Sequence, residues 1–142
     1  MKPDVLLTIA SLLSVFLMSF HLSDDIVRGR EPGDFSTIGG ILILVVWLCA
    51  TLVLAGRRSG LVLVLILSVL GSLVPVIHMR GRGLVGGEIA NSSGVFFWVW
   101  TLYALGVTTT FSVILSAHEL WAMRRRKPVV GVGDIGVGDR LG

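Results

Sequence analysis

Four apolar runs separated by short charged breaks dominate this chain and leave it little choice of fold. They cover Val5 to Leu22, about Thr37 to Ala55, Leu61 to Met79, and about Gly94 to Ala122. Each is long enough to cross roughly 30 Å of hydrocarbon as a helix. In lipid a helix satisfies its own backbone hydrogen bonds, so the same apolar run that needs burial also favours helix. The chain is 54% hydrophobic and only 15% charged. A soluble domain of this size has too little interior to hide that much apolar surface. The charges also cluster between the runs instead of alternating along them, as a solvated helix face would require. The expected fold is all-α: a four-transmembrane-helix bundle built from residues 1–127. The fourth run is longer than a straight crossing needs, which implies tilt or an interfacial extension.

Basic residues set the expected orientation. Lys2 precedes the first run, Arg57 and Arg58 lie between the second and third, and Arg124 to Lys127 follow the fourth. All fall on one side, which is cytoplasmic by the positive-inside rule, so both termini are expected in the cytoplasm. The other side holds Arg28, Arg30, Arg80 and Arg82, offset by Asp24, Asp25, Glu31, Asp34 and Glu88. Trp98, Trp100 and Tyr103 suit the outer interface and Trp121 the inner one. The formal charge of +3 therefore points to the lipid bilayer and its anionic headgroups, not to nucleic acid. A cleaved signal peptide is the rival reading of the first run. Its basic start is thin, Lys2 being followed by Pro3 and Asp4, and bulky His21 spoils a small-x-small cleavage site, so a retained helix is favoured. The location implied is a cell membrane, of the bacterial inner-membrane kind.

Between the second and third runs, "GRRSG" (Gly56 to Gly60) is short enough to make them a tight hairpin. Residues 128–142 read as a flexible cytoplasmic tail, in which "GVGD" occurs twice without the longer repeat of calcium-binding β-rolls. Cys49 is the only cysteine, so it forms no internal disulfide and belongs to no Cys-based metal motif. It reads as a small packing residue.

Polar residues inside the runs form stripes. In the first, Thr8, Ser11, Ser14, Met18 and His21 share a face, which Asp25 joins if the helix continues. In the third, Ser68, Gly71, Ser72, Pro75 and His78 do the same, and the fourth carries Thr101, Gly106, Thr108, Ser112 and Ser116. Small and hydroxyl residues let membrane helices approach closely, so the stripes suggest packing faces, with the first and third helices adjacent.

The stretch "SFHLSDDIVRGREPGD", Ser19 to Asp34, admits two readings. His21 and His78 sit near the ends of parallel runs, at about the same height for a rise of ~1.5 Å per residue. If the polar faces meet, the two imidazoles come together with Met18 and Asp25. Imidazole and thioether suit copper(I), imidazole and carboxylate suit zinc or another divalent ion, and a histidine beside a carboxylate exchanges protons near neutral pH. The plainer account is structural. A histidine at a helix C-terminus is favoured by the dipole, Ser23 or Asp24 can cap a short interfacial helix, and Asp24 can pair with Arg28.

"RGR" recurs at Arg28 to Arg30 and Arg80 to Arg82, where four arginines suit an anionic headgroup or substrate, or else pair with the acidic first loop. His118 and Glu119 lie near the inner interface, where Glu119 is placed to pair with Arg126 or Arg58. Asn91-Ser92-Ser93 matches a glycosylation acceptor but stands close enough to the fourth run to act as its N-cap. No phosphate-binding glycine loop, His-Glu-x-x-His or nucleophile elbow appears, and no cofactor is specified. Two functions remain. One is a non-enzymatic accessory or interaction subunit that forms a homo-oligomer or joins a larger membrane complex. The other is a small transporter or a metal- or proton-handling protein using His21, His78, Met18 and Asp25. A membrane enzyme acting on lipid or quinone comes last.

Overall fold

The computed structural model describes residues 3–27, 34–79 and 93–125. They form four α-helices: α1 Pro3–Val27, α2 Asp34–Leu52, α3 Arg58–Met79 and α4 Ser93–Arg125. Three of them, α1, α3 and α4, are long and apolar enough to cross a membrane. The apolar part of α2, Thr37–Leu52, is shorter.

Each helix begins or ends where its chemistry allows. Pro3 occupies the first position of α1, where its missing N–H costs nothing, and Asp4 places negative charge in the first turn. The expected end of α1 at Leu22 is overrun: the helix continues through Ser23, Asp24 and Asp25 to Val27. Ser23 donates its hydroxyl back to the Ser19 carbonyl instead of capping a new helix. His21 consequently lies within the helix, more than a turn from its end.

α2 stops at Leu52, short of the expected Ala55. The Cys49 carbonyl accepts from both Val53 N–H (2.8 Å) and Leu54 N–H (3.1 Å), and a turn closed by Arg57 N–H to Leu54 C=O (3.0 Å) follows. Gly56 in that turn has φ +73°, a conformation that side chains with a Cβ rarely adopt. This turn makes α2 and α3 a tight hairpin.

Contacts between named residues fix the helix directions. Leu22 of α1 lies against Gly40 of α2, and Ser11 of α1 against Thr51, so α1 and α2 are antiparallel. Asp25 of α1 meets Trp98 of α4, while Leu7 of α1 shares an apolar cluster with Leu61 of α3 and with Leu115, Leu120 and Met123 of α4. The start of α1, the α2–α3 turn and the end of α4 therefore share one end of the molecule.

α4 is the principal neighbour of both α1 and α3, whereas α1 and α3 touch each other only sparsely and the described parts of α2 and α4 make no close approach. The expected α1–α3 pairing through polar faces is thus displaced by α4, for a steric reason. Gly71 of α3 lets α4 come so close that an added Cβ would stand 2.7 Å from Thr109 Cγ2. One turn away the Pro75 ring packs against Gly106. Small residues facing each other on α3 and α4 make that pair the tightest contact.

Trp47, Leu102 and Leu105 are the largest fully buried side chains. Ser14, Thr109, Ser112 and Ser116 are fully buried too, and each donates its hydroxyl to a carbonyl of its own helix. That arrangement satisfies a hydroxyl without any partner helix. Ser68 Oγ is buried with no hydrogen-bond partner among the described residues.

Candidate functional site

At the end of α1 opposite the α2–α3 turn, two ionisable side chains are enclosed by apolar helix. His21 and Asp25 are one turn apart, 2% and 5% exposed, with His21 Nε2 3.3 Å from Asp25 Oδ2. Trp98 of α4 donates its indole N–H to the other carboxylate oxygen, Asp25 Oδ1, at 2.8 Å. Its ring also lies beside the imidazole, with centroids 5.6 Å apart and planes tilted by 38°. Removing a carboxylate from water is costly unless donors replace the lost hydration. Here both carboxylate oxygens face a polar group.

Why the chain folds this way locally follows from three placements. The i,i+4 spacing puts His21 and Asp25 on the same face. The antiparallel run of α4 brings its first turns to the depth of the last turn of α1. Further along α4 from Trp98, Leu102 and Leu105 are fully buried.

The remaining candidate residues scatter or lie outside the description. Met18 is half-buried on the same helix. His78 belongs to α3, but its side chain lies outside the described residues, as do Arg28, Arg30, Arg80, Arg82, Asn91, Arg126 and the tail 128–142. Among the described residues no group of three or more His, Cys, Asp or Glu is placed to hold a metal ion. Cys49 is exposed on α2 and not packed inside. Glu119 forms no ion pair with Arg58.

Sequence reasoning assigned Trp98 to an interfacial aromatic belt and so missed it as the partner of Asp25. Matching the depth of α4 against that of α1 would have found it. A second missed feature is the Trp47 seat. Trp47 of α2 is 1% exposed and donates its indole N–H to Ser11 Oγ of α1 at 3.0 Å. Ser11 Oγ is 2.7 Å from Thr51 Oγ1, which donates to the Trp47 carbonyl at 2.9 Å. With Ser11 donating to Thr51, each of the three polar hydrogens has an acceptor. The far edge of the indole reaches the middle of α3, since a Cβ on Gly71 would lie 3.0 Å from Trp47 Cη2.

On its outward side α4 borders two open grooves. One, of about 610 Å³ against α1, is lined by Leu13, Leu17, Phe96, Trp100, Tyr103 and Val107 among others. The other, of about 480 Å³ against α3, includes Pro75, Gly106, Phe111 and Ile114. Tyr103 and Val107 line both, forming a ridge between them.

Compared with protein-family models, curated proteins and solved structures, this chain matches none.

Proposed function

We propose that this is a small multi-pass protein of a cell membrane, of the bacterial inner-membrane kind, whose four helices all cross the lipid with both termini cytoplasmic. Its role in this reading is non-enzymatic: an accessory or interaction subunit that pairs with further copies of itself or with a larger membrane complex. The observation that carries the reading is the contrast between inside and outside. The interior is closed by Trp47, Leu102 and Leu105, with nearly all its hydroxyls turned back onto their own helices. The outward side of α4, in contrast, offers a ridge of Tyr103 and Val107 between two apolar grooves. A single chain of this build has little room for a transport path and ample surface for another helix.

Extraction in mild detergent followed by native mass spectrometry tests it. The expected particle is an oligomer or a complex with a second protein. A strictly monomeric particle with nothing co-purifying, confirmed by in-membrane crosslinking, counts decisively against the reading.

A second reading has one specific observation in its favour. Ionisable side chains enclosed by apolar helices commonly serve ions or protons, and His21 with Asp25 is such a pair. In that reading Met18 and His78 complete a metal- or proton-handling cluster, with Arg28, Arg30, Arg80 and Arg82 available to an anionic partner. Elemental analysis of wild type against His21→Ala/His78→Ala distinguishes the two. Metal lost from the variant supports the second reading, and identical metal content removes its metal-handling form.

A further inference from the structure

The end of the molecule shared by the start of α1, the α2–α3 turn and the end of α4 carries four exposed arginines: Arg57, Arg58, Arg124 and Arg125. Their proximity in depth follows from the packing. The Leu61 N–H bonds the Arg57 carbonyl at 3.0 Å, and Leu61 belongs to the cluster against which Leu120 and Met123 pack. Among the described residues the acids at this end are Asp4 and Glu119, and none of the four arginines forms an ion pair. The four arginines therefore outnumber the two acids and are unpaired among the described residues.

Arg125 is held in a particular way. Its guanidinium carbon lies 3.5 Å over the ring centroid of Trp121, which is itself exposed. Stacking covers one face of the guanidinium and fixes its plane, leaving the N–H edge to face outward. A tryptophan at the end of an apolar span also sits at headgroup depth. A planar fork of donors at that depth matches the tetrahedral oxygens of a phosphate.

We infer that this end binds the phosphate headgroup of an anionic phospholipid, with Arg124 and the Trp121-stacked Arg125 as the grip and Arg57 and Arg58 as the opposite rim. The chemistry selects for net negative charge. A zwitterionic headgroup brings its own cation to an already basic rim and gains little from it. The inference shares with the proposed function only the placement in a membrane. It concerns a different surface from the grooves beside α4.

The test uses the full chain in mild detergent, titrated with phosphatidylglycerol or phosphatidylcholine and read by native mass spectrometry. Wild type is expected to retain phosphatidylglycerol in preference. Each basic residue near an anionic surface contributes about a fivefold factor, so R124Q/R125Q is expected to weaken retention about thirtyfold. R124K/R125K keeps the charge without the fork and is expected to fall between. W121L, which removes the stack but no charge, is expected to weaken retention less than R124Q/R125Q does, and it keeps the idea testable should R124Q/R125Q lose helical content. Equal retention of the two lipids by wild type overturns the inference, as does retention unchanged in every variant. Displacement of the lipid by millimolar inorganic phosphate would assign the site to the free ion and overturn the lipid assignment.

Discussion

Trp98 gives its indole N–H to a carboxylate oxygen of Asp25 at 2.8 Å, joining the first turns of α4 to the last turn of α1. Asp25 also faces His21, so one carboxylate ties its own helix and a neighbour together.

That arrangement predicts coupling. Trp98→Phe keeps most of the ring and removes the donor, leaving a buried carboxylate oxygen short of a partner, and is expected to cost about 1–3 kcal/mol. Asp25→Asn in the same background is expected to recover part of the loss. Hydrogen bonds between membrane helices couple by about 0.6 kcal/mol on average, up to about 1.7. A double-mutant cycle measured by reversible unfolding in mixed micelles checks this. Strict additivity would mean the bond contributes nothing.

Two buried serines should respond in opposite ways. Ser11 accepts from Trp47 and touches Thr51, so Ser11→Ala strands an indole N–H and is expected to destabilise by about 1–2 kcal/mol. Ser68 Oγ is buried with no partner, so Ser68→Ala is expected to be neutral or stabilising by up to about 1 kcal/mol. Thermal unfolding followed by tryptophan emission compares the pair in one experiment, and a similar loss in both would contradict the packing described.

The α3–α4 contact can be tested by collision and relief. A Cβ at position 71 meets Thr109 Cγ2 at 2.7 Å, so Gly71→Ala forces the helices apart and is expected to cost about 1–3 kcal/mol. Thr109→Ser deletes that methyl while keeping the hydroxyl that bonds the Leu105 carbonyl. Combined with Gly71→Ala it should restore a substantial part of the lost stability. Failure of rescue would place the strain at Trp47 Cη2, the next-nearest atom at 3.0 Å.

Crossing of the lipid by α2 has its own measurement. In a Cys49→Ala background, single cysteines at exposed Ser23 and Phe35 are expected to label with impermeant maleimide from one side. Cysteines at exposed Arg58 and Arg125 are expected to label from the other. Labelling of positions 35 and 58 from the same side would show that α2 does not cross.

How far the sequence revealed this structure differs from helix to helix. The four runs were legible because apolar composition and helix demand each other in lipid. The end of α1 was not. Asp24 and Asp25 look like an exit into water, and only the register of α4, which no local pattern reports, supplies Asp25 with Trp98. The polar faces of α1 and α3 were readable in Ser11, Ser14, Ser68 and Gly71. On α4 Thr101, Ser112 and Ser116 of the stripe are buried, but Thr108 is only half-buried, while neighbouring Thr109, which the stripe left out, is sealed against Gly71. Adjacent residues differ by about 100° around a helix, and α4 is apolar nearly all round, so its pattern does not separate Thr108 from Thr109. His21 and Asp25 share a face by spacing alone. Whether His78 completes their company depends on a side chain outside the described residues.

The seat of Trp47 bears on the order of assembly. Its indole needs Ser11 of α1 at one edge and Gly71 of α3, beside Thr109 of α4, at the other, while Trp47, Ala50 and Thr51 are the buried residues of α2 itself. That cradle is complete only when α1 and α3 both lie against α2. A chain in which either helix fails to dock would leave this tryptophan loose, its emission reporting an unfinished molecule.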